Sequence, residues 1–153
     1  MRIAPLALTD ASDDEIREVS AITHAHPIST EACVFFVHVL RDVLGGEWIE
    51  DAIERNIPRD ERFGFLRSVK DLPREQVRST GYVLDTLGAA LWCACNTDDY
   101  EECVLEAVNL GDDSDTTACV AGAFAGAMNG YDFIPRRWIE KLRGKDIIEG
   151  CLF

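Results

Sequence analysis

Apolar residues recur at helical spacing in segment after segment of this 153-residue chain, and nowhere do they alternate with polar ones over a strand's length. A half-buried strand needs a period of two, so the pattern leaves helices packed on helices. Ser12, followed by Asp13-Asp14-Glu15, reads as a capping box. The helix it starts carries Ile16, Val19, Ser20 and Ile22-Thr23 and stops before Pro27. Ser29 or Thr30 is the expected cap of the next helix. Its face is Ala32, Cys33, Phe35, Phe36, Val39, Leu40, Val43 and Leu44, ended by Gly45-Gly46. Trp48, Ile49, Ala52 and Ile53 mark a short third helix closed by Pro58. One short helix is expected between Pro58 and Thr80, around Phe63, Phe65, Leu66 and Val69. A buried helix follows from Tyr82 to Cys95, then a turn at Asn96-Thr97-Asp98-Asp99, with Thr97 or Asp98 capping the next helix. A helix is expected from Thr116 to Asn129, ended by Gly130, one behind Pro135 through Trp138 to Leu142, and a last one capped by Asp146. With 47% hydrophobic residues there is material for a core. The expectation is all-α: a compact orthogonal helical bundle, one domain over residues 1–153.

Acidic residues outnumber basic ones 28 to 15, a net charge of −13. Such a chain lacks the cations that displace counterions from phosphates, so non-specific nucleic-acid binding and docking on anionic lipid are excluded as expectations. No apolar run approaches the ~18 residues of a membrane span, and Met1 to Leu8 lacks a signal-peptide core. The expected location is cytoplasmic. Six cysteines form no C-x-x-C pair, and Cys93 and Cys95 point apart on a helix, so they read as reduced small hydrophobes.

Gly111-Asp112-Asp113-Ser114-Asp115-Thr116-Thr117 interrupts two apolar helices with three carboxylates. Asp113 and Asp115, one residue apart in a loop, can aim at one point, and the Thr116 hydroxyl adds a third hard oxygen for Mg2+, Mn2+ or Ca2+. The competing reading is a helix N-terminus that collects acids because its dipole favours them. The array is too short for an EF-hand. Behind the loop runs Ala121-Gly122-Ala123-Phe124-Ala125-Gly126-Ala127, whose small side chains predict a central helix pressed close against its neighbours. His24 sits near a helix end beside His26, with no zinc-site spacing; taken alone it reads as a helix C-terminal cation. His38, among Phe36, Val37, Val39 and Leu40, reads as structural, and Trp48, Trp92 and Trp138 as core or edge residues.

GDDSDTTACVAGAFAGAMNG resembles the C-terminal signature of the ADP-ribosylglycohydrolase family, a Gly-x-Asp-x-Asp-Thr loop feeding a small-residue helix. Met1-Arg2-Ile3-Ala4-Pro5 resembles the family's Met-Arg-x-Ala-Pro segment, and Ser20-Ala21-Ile22-Thr23-His24 its Thr-His segment. Gly81-Tyr82-Val83-Leu84-Asp85-Thr86-Leu87 with Ala89-Ala90-Leu91-Trp92 resembles the helix before the signature. The resemblance implies an all-α fold and a dinuclear Mg2+ or Mn2+ centre that assists hydrolysis of the glycosidic bond between ADP-ribose and a protein side chain. It implies Asp113, Asp115 and Thr116 as metal ligands and His24 and Thr23 as contacts to ADP-ribose. It brings Tyr82 and Asp85 near the site, although Asp85 reads equally as a satisfied buried acid. No catalytic residue is assigned.

The family's N-terminal Gly-Asp-Ala-x-Gly segment and Thr-Asp-Asp-Thr motif have no counterpart in this sequence. Thr97-Asp98-Asp99 matches an ordinary family turn instead. The expectation is therefore a C-terminal half, not competent alone. Its partners would be an ADP-ribosylated protein or an ADP-ribose-like small molecule, with a second chain or a homo-oligomer supplying the missing ligands. The competing expectations are a non-catalytic binding or crystallin-like relative and a truncated gene product.

Overall fold

In the computed structural model, which describes residues 2–151, the capping box is formed as expected. The Glu15 backbone N–H donates to Ser12 Oγ at 3.4 Å, and the Ser12 backbone N–H donates to the Glu15 carboxylate at 2.8 Å. Helix α1 then runs Asp13–Ala21. Met1, the first residue of the Met-Arg-x-Ala-Pro match, lies outside the described residues, as do Leu152 and Phe153. The chain continues with α2 (Pro27–Leu44), α3 (Ile49–Asn56), α4 (Val83–Asn96), α5 (Tyr100–Asn109), α6 (Ser114–Asn129), α7 (Arg136–Lys141) and α8 (Lys145–Glu149). Short 3-10 helices fill Ala4–Leu8, Glu61–Asp71, Arg74–Gln76 and Tyr131–Phe133. Among the described residues there is no strand, and the fold is all-α.

Several helix starts differ from expectation, each for a local reason. Pro27 opens α2 instead of only stopping α1, because its fixed φ and missing N–H suit a first helical position. His26 Nδ1 accepts from the Ile28 N–H (3.2 Å), so His26, not Ser29 or Thr30, is the cap. Asp99, not Thr97 or Asp98, caps α5 by accepting from the Glu102 N–H at 2.8 Å. Thr97 closes α4, its hydroxyl donating to the Cys93 carbonyl. Gly144 precedes α8 in a left-handed conformation and leaves Asp146 inside the first turn. Residues 61–76 form two 3-10 helices, not one short α-helix, and still bury Phe63, Leu66 and Val69.

The core is one continuous cluster. Phe35, Val37 and Val39 of α2, Leu91 and Cys93 of α4, and Ala121 and Phe124 of α6 are almost wholly shielded from water. Helix α2 is buried on more sides than one face, because Val34 and Val37 join the expected set, while Leu44 is exposed. Helix α6 packs most extensively on α5 and α4 and also touches α2. The expected close approach is present: a Cβ on Gly122 would lie 3.3 Å from Tyr100 Oη. Phe36 and Phe124 meet edge to face with ring centroids 5.0 Å apart, joining α2 to α6. His38 Nε2 and Asp13 Oδ1 are 2.7 Å apart, a structural tie between α2 and the first turn of α1. No helix of the described residues is long and apolar enough to cross a membrane.

Candidate functional site

The acidic loop is shaped before its carboxylates are placed. Gly111 has φ +85° and Asp112 φ +49°, both in the left-handed region. This turn brings the Asp113 N–H to the Ser79 carbonyl (3.0 Å), while Ser79 Oγ donates to the Gly111 carbonyl (2.9 Å). Ser79 is only 2% exposed, so the two bonds pin the loop to the turn before α4 from inside the protein. Gly81 of that turn lies beside Asp113, since a Cβ built on it would be in ordinary contact with Asp113 Oδ2 at 3.4 Å. Asp113 is the residue just before α6, and its Oδ1 accepts from Thr116 Oγ1 at 2.8 Å. The turn itself is tied by hydroxyls, Thr86 Oγ1 donating to the Thr80 carbonyl (2.9 Å).

Asp113 and Thr116 border a cavity of about 250 Å3. Ala32, Phe36, Leu87 and Val120 give it apolar walls, and Arg2, His24, Ser29 and Thr86 add polar groups. Five parts of the chain thus meet at one opening. The N-terminal segment brings Arg2 and Ile3, and the end of α1 brings Ser20 and His24. The first half of α2 brings Ser29, Ala32, Cys33 and Phe36, and the starts of α4 and α6 close the ring.

Of the site residues expected from sequence, Asp113, Thr116 and His24 share this cavity. Asp115 is exposed and is not part of the lining. Thr23 sits behind His24, its Oγ1 2.9 Å from His24 Nδ1. Asp85 accepts from Thr80 Oγ1 (2.6 Å) and lies 3.3 Å from Arg78, a satisfied acid on a second groove that it shares with Tyr82. Among the described residues, no three His, Cys, Asp or Glu side chains converge on one point. The groups joined at this point are the Asp113 carboxylate and the Thr116 hydroxyl.

Sequence reasoning did not single out Ser79, Ser29, Thr86 or Arg2. One signal was present, since Ser29, Ala32, Cys33 and Phe36 stand at i, i+3, i+4 and i+7 and so form one stripe of α2. Arg2 stood in the Met-Arg-x-Ala-Pro match without a role, and Ser79 had no such signal, because the carbonyl it bonds lies 32 residues away.

Comparison with known proteins gives the family and the fold. The sequence model of the ADP-ribosylglycohydrolase family matches residues 1–152. The chain is 39% identical over 126 residues to the ADP-ribosylarginine hydrolase Tri1 of Serratia proteamaculans, covering 80% of this chain and 34% of that protein. It is 33% identical over 123 residues to the ADP-ribosyl-[dinitrogen reductase] glycohydrolase of Rhodospirillum rubrum, covering 79% of this chain and 40% of that protein. A solved ADP-ribosylglycohydrolase-related protein complex superimposes with a TM-score of 0.75 at 30% identity, over 95% of this chain and 53% of that one. The chain therefore spans about half or less of the relatives it matches. Sequence, fold and the loop-plus-helix signature converge: the chain belongs to the ADP-ribosylglycohydrolase family.

Proposed function

We propose that residues 1–153 form the part of an ADP-ribosylglycohydrolase that receives the ADP-ribose group and supplies one side of a Mg2+ or Mn2+ centre. The observation that carries this reading is the meeting of Asp113, Thr116 and His24 on one cavity, from segments about 90 residues apart in sequence. The apolar walls suit the faces of a nucleoside, and the polar rim suits hydroxyls and phosphates. The names of the relatives support an ADP-ribosylated protein as the substrate class, with the bond to arginine one instance.

The donor chemistry fits a hard cation. Asp113, Asp115 and Thr116 offer oxygens only, and Asp113 and Thr116 are already paired, Oγ1 to Oδ1, at 2.8 Å. A bound cation there would supply Lewis-acid stabilisation and a water of lowered pKa. Asp113 and Thr116 would hold it, with Asp115 turning in from its exposed position. Three protein oxygens fall short of an octahedral shell. The other ligands would come from residues outside 1–153, in the same polypeptide or in a second chain, and so would the acid–base groups.

Manganese uptake tests the metal reading. Titration of Mn2+ followed by the loss of its free-ion electron paramagnetic resonance signal should show saturable binding that Asp113→Ala weakens at least tenfold. Equal uptake by the variant contradicts the ligand assignment. On an ADP-ribosylated arginine peptide the isolated chain should show no turnover. Turnover on the order of 1–1000 per second, the ordinary enzyme range, would overturn the need for further ligands.

A further inference from the structure

The residues from Leu110 to Asp113 join α5 to α6, and the segment just before α4 grips them at both ends. At the α5 end, Arg74 Nη2 donates to the Asn109 carbonyl (3.0 Å) while its Nε donates to the Glu106 carboxylate. Asn109 is the last residue of α5, so its carbonyl has no partner further along the helix, and a cation is favoured there. At the α6 end, Ser79 Oγ donates to the Gly111 carbonyl (2.9 Å), and the Ser79 carbonyl accepts from the Asp113 N–H (3.0 Å). Between those two bonds stands Asp112, exposed and at φ +49°. Among the described residues no side-chain hydrogen bond of its own holds it there. The left-handed region brings a Cβ too close to the following carbonyl, so this conformation has to be imposed from outside. Without Ser79 Oγ, the Gly111 carbonyl would lose its partner. The Gly111–Asp112 peptide could then turn to water, and Asp113, one residue on, would leave the cavity.

We propose that Ser79 is a positioning residue for the cation site, with Arg74 fixing the far end of the loop. Ser79 holds Asp112 in a conformation that residue disfavours and so sets the Asp113 carboxylate on the cavity before any ligand arrives. Neither Ser79 nor Arg74 lines the cavity, and both act through the backbone of the loop. A loop ordered in advance spares the ligand the cost of ordering it. This rests on the reading of Asp113 and Thr116 as cation ligands.

A double-mutant cycle on Mn2+ uptake by the full chain tests the proposal. Ser79→Ala should weaken uptake about two- to tenfold, the worth of one net hydrogen bond. Glycine adopts the left-handed region freely, so in an Asp112→Gly chain the same change should weaken uptake by less than about twofold. The charge removed with Asp112 is missing from both arms of that comparison and cancels. Equal losses in the two backgrounds, or no loss in either, overturn the proposal. Hydrogen exchange of the Asp113 amide gives a readout without metal. It should quicken in Ser79→Ala and slow again when Asp112→Gly is added, and unchanged exchange overturns the clamp. Arg74→Gln, at an exposed position, keeps the test open if Ser79→Ala does not fold. It should quicken the same exchange and weaken uptake, and no change in either overturns the role of the far tie. A wild type that takes up no Mn2+ counts against the cation reading, while the exchange rates still decide the clamp.

Discussion

Thr117 is the residue whose environment asks most of the fold. It is wholly buried in α6, and its hydroxyl has no hydrogen-bond partner among the described residues. Burying such a group without a partner is unfavourable, whereas an apolar group of the same shape loses nothing. Thr117→Val should therefore leave stability unchanged or raise it by about 1 kcal/mol in urea unfolding. A clear loss would mean that the hydroxyl is bound from within. The thiols make a second residue-scale prediction. Burial pushes Cys93 and Cys95 up to about 12 and Cys103 up to about 11, from 9.0. The fold favours the neutral thiols, so their contribution is fully present below pH 9.0 and is lost as pH rises through 11 to 12. Exposed Cys119 and Cys151 should react with a thiol reagent well before these three, and alkaline unfolding should begin above pH 9.0. Equal reactivity of all the cysteines would contradict this burial. At this scale the loop motif pointed to residues that share the cavity, Asp113 and Thr116, and to Asp115, which is exposed and outside its lining. Ser79 was not legible, because a serine that bonds across 32 residues leaves no local spacing to read.

Helices were legible where an apolar face and a capping residue agree, as in α1, and misread where two capping signals compete. At the start of α2, Ser29 and Thr30 look like caps, yet Pro27 already fits the first turn and His26 supplies the acceptor. The 61–76 segment was misread because its apolar residues fit an α-helix and a 3-10 helix equally over so short a run. The end of α6 was readable from Gly130. That residue adopts φ +90° and ψ 169°, a conformation that side chains with a Cβ avoid, and nothing lies within 4 Å of where its Cβ would be. Gly130→Ala thus isolates the backbone cost and should destabilise the chain by about 1–3 kcal/mol. An unchanged melting temperature would mean that the helix end relaxes freely.

For the whole molecule, the all-α bundle followed from periodicity alone, but the cavity did not. Periodicity tells which face of a helix is buried, not which neighbours it meets. The cavity exists because α2, α4 and α6 pack around Phe36 while the N-terminal segment and the end of α1 close one side. The molecule also presents Ile22, Tyr131, Phe133 and Ile147 to solvent. The central claim, that this cavity receives ADP-ribose against Asp113 and Thr116, is tested most directly by calorimetry. ADP-ribose titrated into the full chain with Mg2+ present should give saturable one-to-one binding that Asp113→Ala weakens at least tenfold. No saturable heat, or the same affinity in the wild type and in Asp113→Ala, would contradict it.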